Sequence, residues 1–139
     1  EQGLPAPSGL IASGTALMAG NGFPPLLLTL NRALAHLAPR LRLVGLPRDG
    51  ISRDPLWRAW GDTDPLVVRR PASARLGTEL LDTLEGLRSR LDQINVPLLV
   101  PHGTADKLTD PEGARLLYRE AASSDKALRL YKGAYTTRS

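Results

Sequence analysis

The residues best placed to do chemistry lie at 96–112, which read VPLLVPHGTADKLTDPE. Pro97 to Val100 is apolar and stops at Pro101-His102-Gly103, so a short strand is expected there, followed by a polar turn that carries Asp106. Pro111 and Glu112 then open a helix, with Thr109 expected as its N-cap and Glu112 reaching back in a capping box. A carboxylate on a strand-to-helix loop stands where α/β proteins bind ligands, outside the carboxyl ends of the strands. The residues by themselves leave two readings open: a working carboxylate, or a turn aspartate that caps the next helix. Asp62 and Asp64 form another acidic pair, but in a Gly/Pro-rich loop they read as turn residues.

Other reactive groups are few. The chain has no cysteine, which excludes disulfides, thiol catalysis and Cys-based metal sites. His36 reads as an exposed helix residue and His102 as part of the turn, so no metal site is expected. The Gly-rich loop at 14–22 is not a phosphate loop, because neither Gly-Lys-Ser/Thr nor G-x-G-x-x-G occurs.

The elements that must position Asp106 read as a mixed α/β chain. Residues 8–13 (SGLIAS) are expected to form a buried strand. Pro24-Pro25 open a helix carrying Leu26, Leu27, Leu30, Leu34 and Leu37, with Asn31, Arg32 and His36 at polar positions and an end before Pro39. Residues 41–71 look irregular, apart from a capped short helix from Ser52-Arg53-Asp54-Pro55 to Trp60. At 73–94, Leu76, Leu80, Leu84, Leu87, Leu91 and Ile94 form one apolar helical stripe, flanked by the pairs Arg75/Glu79 and Arg88/Asp92. Ala114, Leu117 and Ala121 on the helix after Asp106 should face a sheet, and residues 127–131 (ALRLY) read as a further strand. Strand, helix, strand in this order predicts a parallel, right-handed crossover.

With 139 residues the chain is long enough for one core, and 42% hydrophobic residues with mean hydropathy −0.17 are ordinary for a globular chain. Its net charge of +4 comes from arginines spread from Arg32 to Arg138, and aromatics make up only 4%, so nucleic acid is not the expected partner. No apolar run approaches the roughly 20 residues needed to span a bilayer, and no signal peptide is visible, which predicts a cytoplasmic or membrane-peripheral protein. Because residue 1 is Glu rather than Met, the chain is expected to be a piece of a longer protein.

Five stretches together resemble the C-terminal half of the monoacylglycerol lipase or lysophospholipase-like α/β-hydrolases, a serine aminopeptidase S33-type family. They are Gly9-Leu10-Ile11-Ala12-Ser13-Gly14, Ile51-Ser52-Arg53-Asp54-Pro55, Asp64-Pro65-Leu66, residues 96–110, and Leu130-Tyr131-Lys132-Gly133-Ala134-Tyr135. The resemblance implies a half α/β-hydrolase core at 1–20 and 93–139, with a helical cap inserted at 21–92. It implies hydrolysis of monoacylglycerols or related lipid esters, without cofactor or metal, by serine, aspartate and histidine. Asp106 is similar to the triad acid, which holds the histidine's tautomer and stabilises its positive form. Cap residues Leu27, Leu30 and Leu34 would touch the acyl chain, and the cap would make transient contact with a membrane surface.

The chain departs from the family's pattern in three places. No G-x-S-x-G occurs, which puts the nucleophile serine upstream of residue 1. The family's Gly-x-Tyr-His reads here as Gly133-Ala134-Tyr135-Thr136, so Thr136 stands at the histidine position with no group that ionises near neutral pH. Trp60-Gly61 precedes Asp64-Pro65-Leu66 where the family often has a tyrosine. The 139 residues alone are therefore expected to be inactive, with open sheet edges that favour association. Two alternatives remain: another carboxylesterase of the same fold, or a non-catalytic lipid-binding module.

Overall fold

A computed structural model describes residues 7–18, 25–45, 54–68 and 70–135. Strands β1 (Leu10–Ile11), β4 (Leu98–Gly103) and β5 (Lys126–Tyr131) form a parallel sheet in the order β1-β4-β5, with Leu10 opposite Leu98 and Gly103 opposite Tyr131. Helix α4 (Pro111–Glu120) connects β4 to β5, as parallel strands require. Its Ala114 and Leu117, with Ala121 just beyond it, pack on Leu98 and Val100 as the spacing predicts, and Leu17 and Leu91 complete this core.

Strand β4 runs through Pro101 and His102 to Gly103, so His102 belongs to the strand and not to the turn. A proline is unusual in a central strand because it cannot donate to the ladder. Continuing the β1–β4 ladder, in which Ala12 N–H donates to Leu99 O at 2.9 Å, the Ala12 carbonyl faces the nitrogen of Pro101. Thr15 Oγ1 donates to that carbonyl at 3.0 Å, so nothing is left unpaired by the proline. The expected buried strand at 8–13 is instead a two-residue strand with Ile11 70% exposed, and among the described residues β1 has a sheet neighbour on one side only.

Between β1 and β4 the chain makes α1 (Pro25–Leu37), β2 (Arg42–Val44), α2 (Pro55–Thr63), β3 (Ala72–Ser73) and α3 (Ala74–Arg88). The stretch read as irregular thus holds a strand, β2, which pairs antiparallel with β3, as well as α2. Three residues are too few to show an alternating pattern in the sequence. Asp54 caps α2 by accepting from Leu56 N–H at 2.8 Å, and Asp64 accepts from Leu66 N–H at 2.8 Å, a turn role as its setting suggests.

Helices α1 and α3 pack together through small and polar residues, not through the leucine stripe. Asn31, read as one of the polar positions of the helix, is only 1% exposed: its Nδ2 donates to Ala74 O at 2.9 Å and Thr78 Oγ1 at 3.1 Å. Gly77 makes room, since a Cβ there would lie 2.9 Å from Asn31 Nδ2. At 3.6 residues per turn, Leu76, Leu80 and Leu87 fall opposite the Ala74–Thr78 face, and all three are exposed. The single helix read over 73–94 also ends early. Ser89 closes α3, a 3₁₀ turn follows at Leu91–Gln93, and Leu91 and Ile94 pack into the sheet core instead. Arg75 pairs with Glu79 at 3.5 Å as predicted, whereas Arg88 donates through Nε to Leu17 O at 2.6 Å. That bond ties the end of α3 to the loop after β1.

Candidate active site

Asp106 sits three residues beyond β4, and its side chain is wholly removed from solvent. The loop orients it with its own donors: Oδ1 accepts from Leu108 N–H at 2.9 Å and Thr109 N–H at 3.0 Å, while Oδ2 accepts from Thr109 Oγ1 at 2.7 Å. Burying a carboxylate is unfavourable unless hydrogen bonds replace its water, and here two backbone amides and a hydroxyl do so. Because Thr109 is committed to Asp106, it does not cap α4. Asp110 is the N-cap, accepting from Glu112 N–H at 2.9 Å, with Pro111 at the first helical position. Glu112 pairs with Arg115 at 3.3 Å, and no capping box forms.

A second loop, at 131–135, docks on the first. Ala105 N–H donates to Ala134 O at 3.0 Å, Thr104 N–H to Tyr131 O at 3.0 Å, and Gly133 N–H to Thr104 Oγ1 at 2.9 Å. The Ala134 backbone passes directly over Gly103, so a Cβ at 103 would overlap the Ala134 carbonyl oxygen and stand 2.6 Å from both Ala134 C and Tyr135 O. The docked segment ends one residue before Thr136, which lies outside the described residues. His102 is buried beneath the acid loop, its Nε2 3.3 Å from Thr109 O and 3.7 Å from Asp106 Oδ2.

Sequence reasoning placed Asp106 on the loop after β4 but missed Thr109 as its partner, Gly103 as the floor of the second loop, and the burial of His102. The Asp-x-x-Thr spacing was the available signal for Thr109. Of the three cap leucines, Leu30 is half-exposed and Leu34 half-buried on α1, and only the helical backbone of Leu27 is described. Leu30 and Leu34 lie on α1, which packs on α3, whereas Asp106 lies on the loop after β4. An open hollow of about 440 Å³ is lined by Arg42, Pro65, Val67, Val68 and Arg70, and it too lies apart from Asp106. Among the described residues no cluster of three or more His, Asp or Glu could hold a metal ion, and no helix is long and apolar enough to cross a membrane.

The family model described as serine aminopeptidase, S33, matches residues 3–135. The chain belongs to this hydrolase family. It is 34% identical over 128 residues to the monoacylglycerol lipase of Mycolicibacterium smegmatis, an alignment covering 92% of this chain and 46% of that one. The crystal structure of Paleococcus ferrophilus monoacylglycerol lipase superposes with a TM-score of 0.82 at 34% identity, covering 94% of this chain and 51% of the other. Over 69 residues the chain is also 38% identical to caffeoylshikimate esterase of Arabidopsis thaliana, covering 48% of this chain and 21% of that enzyme. The chain thus spans about half the length of the lipases it matches, and its parallel sheet with flanking helices is part of an α/β-hydrolase fold.

Proposed function

We propose that this chain supplies the acid-bearing half of a serine ester hydrolase acting on monoacylglycerols or related lipid esters. The observation that carries the reading is the orientation of buried Asp106 beside the docked loop 131–135, in a chain similar to monoacylglycerol lipases. In this reading a serine, outside the 139 residues, attacks the ester carbonyl. A histidine takes its proton and later returns it to the leaving alcohol. Asp106 accepts that histidine's N–H, holds its tautomer and stabilises the imidazolium. Loop 131–135 would deliver the base, but Thr136 stands at the family's histidine position and can neither accept nor return the proton. The 139-residue polypeptide is therefore expected to be inactive and to resist serine-directed phosphonates.

The proposed division makes 1–20 and 93–139 core and 21–92 cap. Leu26 and Leu30, exposed on α1, support a cap that touches an acyl chain or a membrane surface, with Leu27 and Leu34 as further acyl contacts.

The test is a chimera in which residues 8–135 replace the matched segment of the Mycolicibacterium smegmatis lipase, so that serine and histidine come from the lipase. Hydrolysis of monoacylglycerol is expected, with Asp106→Asn lowering kcat about 10³- to 10⁴-fold. An active chimera indifferent to Asp106→Asn would overturn the assignment. A preference for aromatic over acyl-glycerol esters would favour the second reading, a different carboxylesterase, for which the likeness to caffeoylshikimate esterase speaks.

A further inference from the structure

The buried imidazole of His102 has a role that the triad reading leaves unassigned. Three oxygens surround its Nε2: Thr109 O at 3.3 Å, Thr109 Oγ1 at 3.4 Å and Asp106 Oδ2 at 3.7 Å. The Thr109 hydroxyl gives its hydrogen to Asp106 Oδ2 at 2.7 Å, so all three oxygens present lone pairs to Nε2. A bare nitrogen lone pair there would be repelled by each of them. On the other side of the ring Nδ1 is buried with no hydrogen-bond partner among the described residues, so a proton there would be a donor without an acceptor. The oxygens around Nε2 therefore set the tautomer, with hydrogen on Nε2, while Nδ1 has no acceptor that would draw the proton away.

We propose that His102 is a positioning residue for Asp106. Its Nε2–H donates to the Thr109 carbonyl and ties the end of β4 to the far side of the acid loop. With that carbonyl held, the Thr109 amide and hydroxyl stay aimed at Oδ1 and Oδ2, and the carboxylate keeps one orientation. His102 reaches no substrate atom; it acts through the acid loop, by the Thr109 carbonyl and by its approach of 3.7 Å to Asp106 Oδ2. The functional importance of this link rests on the triad reading, but the link itself can be tested without it.

Nitrogen-15 NMR of the lipase chimera carrying residues 8–135, with His102 assigned by difference against its His102→Gln variant, reads the tautomer directly. The expected spectrum shows a pyrrole-like Nε2 and a pyridine-like Nδ1, and a proton on Nδ1, in either the other tautomer or the imidazolium, would overturn the proposal. Three variants separate the hydrogen bond from packing. The amide nitrogen of His102→Gln stands as many bonds from Cβ as Nε2, whereas that of His102→Asn matches Nδ1, and His102→Phe keeps only a ring. Exchange of the Leu108 and Thr109 amides is expected to accelerate about tenfold in His102→Phe and His102→Asn, the loss of one ordinary hydrogen bond. In His102→Gln it should stay within about threefold of the parent, with the Leu117 amide in α4 unchanged throughout as the check on folding. Equal acceleration in all three variants, or none in His102→Phe, would mean that the ring only fills space.

Discussion

Gly103→Ala should be among the most damaging single-methyl additions in this chain. Gly103 has no positive φ, so the backbone itself accepts alanine. The difficulty is the backbone of Ala134 and Tyr135, two atoms of which would lie 2.6 Å from the new Cβ. Ordinary contact begins near 3.4 Å, so loop 131–135 has to move by roughly 1 Å. Such a shift breaks or stretches the bonds from Ala105 N–H to Ala134 O and from Gly133 N–H to Thr104 Oγ1, about 0.5–1.5 kcal/mol each. Overpacking adds about 1–3 kcal/mol, and the stiffer unfolded chain returns about 0.4–1 kcal/mol. The net loss is about 1–5 kcal/mol, centred near 3, read in urea unfolding as a midpoint lower by about 1 M or more. Gly86→Ala is the control: a Cβ there meets nothing within 4 Å in the interior of α3, and stability should rise by about 0.5–1 kcal/mol. A Gly103→Ala midpoint within 0.3 M of the parent would refute the close passage of Ala134 over Gly103, and with it the docking of the second loop on the acid loop.

Three further outcomes are expected. Asp110→Ala should cost about 1 kcal/mol as a lost N-cap, whereas Thr109→Ala should leave α4 capped and instead shift the carboxyl carbon-13 resonance of Asp106; the reverse pattern in NMR would restore Thr109 as the cap. Asn31→Asp should destabilise by about 2–3 kcal/mol in thermal or urea unfolding, because an acceptor would replace the donor facing Ala74 O and Thr78 Oγ1 in a buried contact; a neutral result would mean that α1 and α3 pack differently. The open edge of β1 and the exposed leucines should make the 139-residue chain self-associate at micromolar concentration in sedimentation velocity, and a clean monomer would contradict this.

What the sequence determined by itself was local. The apolar run before Pro101, the Asp106 loop, the Pro111 helix start and the strand ending at Tyr131 are each written within a few neighbouring residues, where turn chemistry and periodicity act. Resemblance to a family then assigned Asp106 a role that spacing alone left open. Only the tertiary structure decided the rest. The leucines form one apolar stripe at helical spacing, yet Leu76, Leu80 and Leu87 are exposed and α3 meets Asn31 of α1 through Ala74, Gly77 and Thr78, because that side chain needed both room and acceptors. Thr109 had two partners within reach of its own sequence, the α4 amides and Asp106, and burial of the carboxylate tipped it toward Asp106 while Asp110 took the cap. The burial of Gly103 and His102 arises from contacts with residues 134 and 109, and for Gly103 that partner is more than thirty positions away. Spacing encodes which side a residue faces on its own element; which element comes to meet it is set by the packing of the whole chain.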